Sequence, residues 1–183
     1  MSKGKETIVL GGGCFWCTEA VFSELSGVLS AEPGYSGGTV QNPSYEQVCT
    51  GKTGHAEVVR VTYDPEAIST RRILEVFFAT HDPTTVNRQG DDIGTQYRSV
   101  IFWCTEDQKT EAEKIIEEMR NENLFPGPIV TAVEKFREFY PAEDYHRNYF
   151  ARNGSQPYCR AVISPKLAKF RNKFGTELKT KGP

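Results

Sequence analysis

The chain has 183 residues, of which 38% are hydrophobic and 25% charged. This length and composition are typical of one globular domain, so we treat residues 1–183 as a single domain. The formal net charge of −2 gives no support to a nucleic-acid partner. No apolar run approaches the roughly 18 residues that a membrane span requires, and no apolar segment follows residues 1–6 as in a signal peptide.

The first predicted elements are a strand and a helix joined by glycines. Residues 6–10 form an apolar run that predicts a strand, which Gly11–Gly13 end. A helix is predicted to begin near Cys14, because apolar residues recur after it at helical spacing, and to end near Gly27. Residues 32–44 are rich in glycine and proline and predict a loop.

Strand and helix signals continue to alternate along the rest of the chain. The further predicted elements are a strand at 56–63, a helix capped by Ser69, a polar loop at 81–96, a strand at 97–103, a helix after the capping box Thr105–Gln108, a strand at 129–136, a helix from Pro141 to about Arg152 and a last helix from Pro165. Interleaved strands and helices are typical of an α/β layered fold. The basic end, residues 179–183, is predicted to be solvent-exposed and frayed.

Five cysteines are the first indication of chemistry. An odd number without a secretion signal argues against a disulfide scaffold and for the reducing cytoplasm, where cysteines at meaningful spacing are more often catalytic, redox-active or metal-binding. The cysteines and histidines lack the paired spacing of a zinc site, so we expect no metal and no cofactor. Cys49 and Cys104 resemble inert core cysteines.

The segment Gly13–Cys17, with the sequence GCFWC, is the most informative motif. Backbone N–H groups and the helix dipole at a helix start stabilise an anion, which predicts a lowered pKa and a reactive thiolate for Cys14. Phe15 and Trp16 would either pack inward or line an apolar substrate pocket. Cys17 follows one helical turn after Cys14, so a thioredoxin-like dithiol is the main alternative, although such motifs usually carry small residues between the cysteines.

Glu57 is predicted on the buried face of a strand, because it alternates with Val59, Val61 and Tyr63. Burial raises the pKa of a carboxyl group, and a carboxyl that is protonated near pH 7 can act as a general acid. The alternative, which the pattern supports equally, is a glutamate at the end of a strand that pairs with an arginine.

Tyr45, Tyr97 and Asp92 lie in stretches rich in loops. A tyrosine hydroxyl can donate a hydrogen bond to a polar oxygen inside an apolar pocket, although packing alone explains most tyrosines. Residues 90–98 form a polar segment that is longer than a plain connection needs, which indicates a functional loop. The histidines are each expected to have a satisfied structural role: His55, His81 and His146.

Short motifs recur in a fixed order over nearly the whole chain. They are Gly13–Trp16, Gly34–Gly38, Asn42–Tyr45, Thr53–Glu57, His81–Pro83, Gly94–Ser99, Tyr140–His146 and Tyr158–Cys159. In this order they resemble the A-type peptide methionine sulfoxide reductases. The resemblance implies an α+β fold with a two-layer, ferredoxin-like core of mixed β-sheet and helices, and an irregular C-terminal tail.

The resemblance also implies a reaction, the reduction of methionine S-sulfoxide, free or in proteins. Cys14 matches the nucleophile that attacks the sulfoxide sulfur and becomes a sulfenic acid, and a resolving cysteine then forms a disulfide that thioredoxin reduces. The other implied roles are Glu57, Tyr45 and Tyr97 at the sulfoxide oxygen, Phe15 and Trp16 around the terminal methyl group, and Asp92 on the substrate backbone.

Two cysteines compete for the resolving role. Cys159 occupies the usual family position, but a mobile tail must bring it to the site. Cys17 stands where many members have glycine, and its loop-closure cost is small. We expect Cys159 to resolve the sulfenic acid, with Cys17 as its competitor or as a second relay partner. A Cys14–Cys17 dithiol exchanger and a non-catalytic binder of oxidised methionine stay open as other functions, and we expect a monomer.

Overall fold

The computed structural model describes residues 4–180. Its strands are β1 Glu6–Gly11, β2 Val28–Ser36, β3 Ala56–Tyr63, β4 Arg88–Gln89, β5 Asp92–Ile93, β6 Val100–Trp103, β7 Ala132–Lys135 and β8 Tyr140–Pro141. Its helices are α1 Phe15–Glu24, α2 Tyr45–Cys49, α3 Thr70–Ala79, α4 Glu106–Asn121, α5 Tyr149–Asn153 and α6 Ser164–Phe174. None of the helices found in residues 4–180 is long and apolar enough to cross a membrane.

The main sheet contains six strands in the order β7-β6-β1-β3-β2-β8. Neighbours are antiparallel except β6 and β7, which are parallel. Helix α1 connects β1 to β2 and α3 connects β3 towards β6, so the central order β6-β1-β3-β2 is ferredoxin-like and the fold is α+β. The α/β expectation is wrong, because an antiparallel strand lies between the two strands that each helix connects.

The two faces of the sheet bury different clusters. Alternate residues of β3 such as Val59 and Val61 point to the large cluster, which includes side chains of α1, α3, α4 and α6. Val58 points to a smaller cluster on the other face. Strand β3 and helix α3 form as predicted. Ser69 caps α3 by accepting a hydrogen bond from the Arg72 N–H, and the apolar stripe of α3 is buried.

Several segments differ from their predicted structure. The strand predicted at 97–103 begins only at Val100, and the loop predicted at 81–96 contains the short strands β4 and β5. Residues 32–36 belong to β2 rather than to a loop, because Gly34 pairs with β3 on one side and with β8 on the other. Pro141 does not begin a helix but lies in the edge strand β8, where a missing N–H is tolerated. A short 3-10 turn, Asp144–His146, separates β8 from α5.

The chain after β7 consists of short elements until α6, in agreement with an irregular C-terminal part. A π-helical turn, Cys159–Ile163, leads directly into α6, which has the predicted proline in its first turn. Lys179 is exposed, as predicted for this end, but it is not frayed, because its N–H donates to the Glu24 carbonyl over 2.8 Å. Residues 181–183 of that end lie outside the described residues.

Gly34→Ala tests the close approach of β8 to β2. A Cβ at Gly34 would lie 2.5 Å from the Tyr140 carbonyl oxygen, so the two strands must separate. We expect the free energy of unfolding in urea to fall by about 1–3 kcal/mol. Gly175→Ala is the control, because nothing lies within 4 Å of its added Cβ. Equal stability of the two variants would contradict this role of Gly34.

Candidate active site

Cys14 lies between the glycine turn and the first residue of α1. Gly13 has a φ of +97°, a conformation that favours glycine, and it turns the chain from β1 into the helix. The Cys14 carbonyl oxygen accepts a hydrogen bond from the Cys17 N–H over 3.1 Å. The predicted position at a helix start is therefore correct, and only 8% of the Cys14 surface is exposed.

The expected lowering of the Cys14 pKa is wrong. Burial raises the pKa of Cys14 well above its usual value, the hydrogen bond with Cys17 and the charge of Glu57 raise it further, and the backbone at Trp16 lowers it only in part. The Cys14 side chain is the largest of several causes that lower the pKa of Cys17 to about 7. The effect of burial on Cys14 outweighs the stabilisation of a thiolate by the helix start. Of the two cysteines, Cys17 is therefore the one that ionises first.

Glu57 occupies the predicted buried face at the start of β3. Its Oε1 accepts from the Phe15 N–H over 3.2 Å, whereas its buried Oε2 has no hydrogen-bond partner among residues 4–180. Burial is the main cause that raises the pKa of Glu57 to about 8. None of the ion pairs found in this part of the chain includes Glu57, so the arginine-paired alternative is excluded for the described residues.

Two tyrosine hydroxyls share this environment with Glu57. Tyr45 is the first residue of α2, and Tyr97 ends a 3-10 turn, Thr95–Tyr97. Burial raises the pKa of each phenol, and the charge of Glu57 raises it further. Both hydroxyls therefore stay protonated, and together with a protonated Glu57 they supply O–H donors for a polar oxygen next to Cys14.

The predicted pocket residues lie around the same centre. Phe15 is buried and packs against the rings of Tyr35, Tyr45 and His146. It therefore belongs to the packed aromatic residues that support the site. The partly exposed Trp16 stacks on Tyr149, with 3.7 Å between the ring centroids, and meets the edge of Tyr158.

Asp92 lies in the small hairpin formed by β4 and β5. Its Oδ2 accepts a hydrogen bond of 2.7 Å from the Tyr158 hydroxyl. Tyr158 directly precedes Cys159, so this bond ties the loop that the sequence indicated as functional to the C-terminal part of the chain.

Three cysteines meet at the site. Cys14, Cys17 and Cys159 form one buried cluster with Ile163, and Cys159 is fully buried at the start of the π-helical turn. The expectation that a mobile tail must deliver Cys159 is wrong, because this turn already packs against α1. The remaining two cysteines were expected in the core, but both are exposed: Cys49 and Cys104.

His146 is a residue whose importance the sequence analysis missed. Its Nδ1 accepts a hydrogen bond of 3.0 Å from the Trp16 indole N–H, which fixes the ring. Its buried Nε2 has no partner among residues 4–180, so its expected satisfied role is wrong. Burial lowers the pKa of His146, which keeps Nδ1 free to accept. The signals for it in the sequence were the motif Tyr140–His146 and the aromatic character of residues 145–150.

The other histidines have both ring nitrogens in hydrogen bonds, as predicted. His55 contacts the Gly38 N–H and the Val40 carbonyl, and His81 contacts the Phe77 carbonyl and the Ser99 hydroxyl.

Glu143 is a second missed residue. Its carboxylate accepts from the Tyr35 hydroxyl over 2.9 Å and from the Tyr45 N–H over 3.0 Å. It thereby holds the start of α2, from which the Tyr45 side chain projects, at the site. Spacing could not reveal this contact, because Glu143 is 98 positions from Tyr45.

Known proteins match this chain over almost its full length. The family model described as peptide methionine sulfoxide reductase matches residues 6–178. The chain belongs to this family. A peptide methionine sulfoxide reductase MsrA from Deinococcus radiodurans is 56% identical over 175 residues, which are 96% of this chain and 85% of the relative.

Solved structures agree with this assignment. The reduced form of Mxr1 from Saccharomyces cerevisiae is 36% identical, with a TM-score of 0.77, and the match covers 85% of this chain and 89% of Mxr1. Mxr1 in complex with Trx2 matches with a TM-score of 0.54 at 26% identity, over 79% of this chain and 84% of that one. As a peptide methionine sulfoxide reductase, the protein is an oxidoreductase that reduces methionine sulfoxide with thiols.

His146→Phe tests whether the imidazole positions Trp16 in this methionine sulfoxide reductase. The phenyl ring fills similar space but leaves the indole N–H without an acceptor, a loss that costs about 1–3 kcal/mol. We expect KM for a blocked methionine sulfoxide to rise roughly 10-fold, with kcat little changed. Tyr145→Phe, at an exposed neighbouring position, should keep the wild-type KM. An unchanged KM in His146→Phe would refute the positioning role.

Proposed function

We propose that this reductase repairs the S epimer of methionine sulfoxide, free or in proteins, and that thioredoxin reduces the disulfide that it forms. The observation that carries this proposal is a buried Cys14 beside Glu57, whose Oε2 has no hydrogen-bond partner among the described residues. A carboxyl group with a pKa of about 8 is protonated at neutral pH and can donate to the sulfoxide oxygen. The complex of yeast Mxr1 with Trx2 supports thioredoxin as the reductant.

The first half-reaction moves one oxygen atom from the substrate to the enzyme. The Cys14 sulfur attacks the sulfoxide sulfur and forms an S–S bond, while Glu57 gives its proton to the sulfoxide oxygen. The S–S bond and the S–O bond of the substrate then break as the hydroxyl group moves to the Cys14 sulfur. Tyr45 and Tyr97 donate hydrogen bonds to that oxygen and stabilise the charge that develops on it. The products are methionine and a Cys14 sulfenic acid, and the thiol proton of Cys14 restores the proton of Glu57.

Substrate recognition uses the apolar rings and the hairpin carboxylate. Trp16, with Phe15 behind it, forms the wall for the terminal methyl group of the substrate. Asp92 accepts a hydrogen bond from the substrate backbone, in place of the one that Tyr158 gives it in this structure. The substrate therefore enters where the rings of Tyr149 and Tyr158 now cover Trp16.

The contacts favour Cys17 as the first resolving cysteine, an order that differs from the one expected from sequence. Cys17 lies in the same buried cluster as Cys14 and has a pKa of about 7, so it is placed and activated for attack on a Cys14 sulfenic acid. Cys159 is packed in the same cluster. We propose that it then attacks Cys17, which frees Cys14 and leaves a Cys17–Cys159 disulfide for thioredoxin.

The protein is further proposed to act in the cytoplasm as a monomer, with residues 1–183 as one reductase domain. All the groups assigned above come from a single chain. Its five cysteines are free thiols, as in a reducing compartment.

Glu57→Gln tests the general acid. In single turnovers without reductant, the wild-type rate of methionine release from a blocked S-sulfoxide should fall as pH rises through about 8, because Glu57 loses its proton there. The variant should be slower by about 10²–10⁴-fold and should lack this pH dependence.

Cys14→Ser is the negative control for the same assay and should release no methionine. Turnover in Cys14→Ser would refute the proposed function. Reduction of insulin disulfides without sulfoxide turnover would favour the dithiol exchanger instead, and binding without turnover would favour the oxidised-methionine binder. Equal rates on the R and S epimers would refute the epimer assignment.

Peptide mapping of singly oxidised enzyme tests the order of the cysteines. One equivalent of sulfoxide without reductant should give a Cys17–Cys159 disulfide in the wild type and a Cys14–Cys17 disulfide in Cys159→Ser. Cys17→Ser should accumulate the sulfenic acid. A Cys14–Cys159 disulfide that forms in Cys17→Ser as fast as the wild type forms its disulfide would show that Cys159 attacks the sulfenic acid directly.

A further inference from the structure

A small cavity of about 10 Å³ lies beside Cys17. Its walls come from the glycine turn, α1, α3 and α6, and they include Gly12, Cys17, Thr18, Phe77, His81 and Lys166. None of the groups assigned above to the substrate lines this cavity, and Cys14 does not line it either. Nothing in the proposed reaction so far involves these walls.

Two basic side chains line this cavity, and only one of them carries a charge. His81 is neutral, because burial lowers its pKa to about 4, and both of its ring nitrogens are in hydrogen bonds. Lys166 lies in the first turn of α6 and is half-buried. Among residues 4–180, none of the ion pairs includes Lys166, so its charge is not neutralised by a neighbouring carboxylate.

We infer that Lys166 is a positioning residue for the resolving step, because it lines the same small cavity as Cys17 and its positive charge stabilises the thiolate that attacks the Cys14 sulfenic acid. This inference rests on the proposed role of Cys17 as the first resolving cysteine. Lys166 contacts neither the substrate nor Cys14 in this assignment. It acts only through the ionisation of Cys17.

The other groups around Cys17 act in both directions on its pKa: the Tyr158 hydroxyl lowers it, whereas burial and an acidic neighbour raise it. Asp92 and Glu57 are the acidic neighbours, and the Asp92 charge raises the pKa of Cys17, as burial does. The Tyr158 hydroxyl lies 3.9 Å from the Cys17 sulfur, and Cys159 is a further buried neighbour. After the hydrogen bond from Cys14, the charge of Lys166 is the next largest cause that lowers the Cys17 pKa.

The importance of Lys166 increases once the first half-reaction is complete. The Cys14 thiol that donates to Cys17 has then become a sulfenic acid. The Cys17 thiolate attacks its sulfur, the S–S bond forms, the S–O bond breaks, and the departing hydroxide takes a proton to become water. A thiolate with a pKa near the working pH is the best attacking group for such an exchange. Lys166 is then the largest remaining cause that lowers the Cys17 pKa.

Lys166→Gln in a Cys159→Ser background isolates this step. After one equivalent of a blocked methionine sulfoxide has been consumed, the conversion of the Cys14 sulfenic acid to the Cys14–Cys17 disulfide is followed by mass spectrometry as a function of pH, separately from methionine release. Without Lys166 we expect the midpoint of the profile to rise by about one pH unit, which is a roughly 10-fold loss of rate at about pH 6. At about pH 9 the rates should be equal, since both proteins are then ionised at Cys17.

Two matched variants separate charge from structure. Lys166→Arg retains the charge and should keep the wild-type midpoint. Lys169→Gln removes an exposed lysine from the same helix and should also keep it. A rate deficit of Lys166→Gln that persists at about pH 9 would indicate a structural role and overturn the inference.

The remaining outcomes also decide the question. A midpoint in Lys166→Gln equal to that of the wild type would overturn the role of Lys166, and so would an equal shift in Lys169→Gln. Methionine release without any Cys14–Cys17 disulfide would overturn it together with the role of Cys17. Absence of methionine release from the parent protein would instead refute the proposed function, so the two failures are distinguishable.

Discussion

The hydrogen bond from the Phe15 N–H to Glu57 Oε1 is the contact on which the arrangement of the site depends. It joins the first turn of α1 to the start of β3 and places Cys14 against the carboxyl group. Because one oxygen of Glu57 is occupied in this way, the other is left to face the site. The pleat of β3 determines which face Glu57 occupies, and the glycine turn before Cys14 determines where the helix begins.

Burial, more than local backbone geometry, decides which groups of the site hold protons. A helix start stabilises a thiolate by typically 0.3–1 kcal/mol near the surface, whereas loss of water shifts a buried group by several pKa units. The protons therefore stay on Glu57 and on Cys14, and the charge goes to Cys17. The site combines a proton donor for the oxygen with an ionised sulfur for the next step.

Local sequence patterns predicted the elements in which apolar residues recur at the spacing of a strand or of a helix. Strand β3 and helix α3 have the alternation and the apolar stripe of regular elements, and Glu57 was placed on the correct face by this argument. Strand β2 was missed because its proline and glycine resemble those of a loop, whereas Gly34 is required there by the approach of β8.

Contacts between distant parts of the chain could not be predicted from spacing. His146 is 130 positions from Trp16, and no pattern within the sequence connects them. The packing of Cys159 depends on the π-helical turn, and the pKa of Cys14 depends on the water that this packing excludes. The resemblance of ordered motifs indicated which residues meet, but only the structure shows which of them hold hydrogen bonds and protons.

The hydrogen bond between Tyr158 and Asp92 has a consequence for affinity. If Asp92 binds the substrate backbone as proposed, the Tyr158 hydroxyl competes with the substrate for that carboxylate. The measured affinity then equals the intrinsic affinity multiplied by the fraction of molecules in which Asp92 is free. Since Tyr158 adjoins Cys159, a substrate that takes its place on Asp92 removes the hydrogen bond that anchors the residue directly before Cys159.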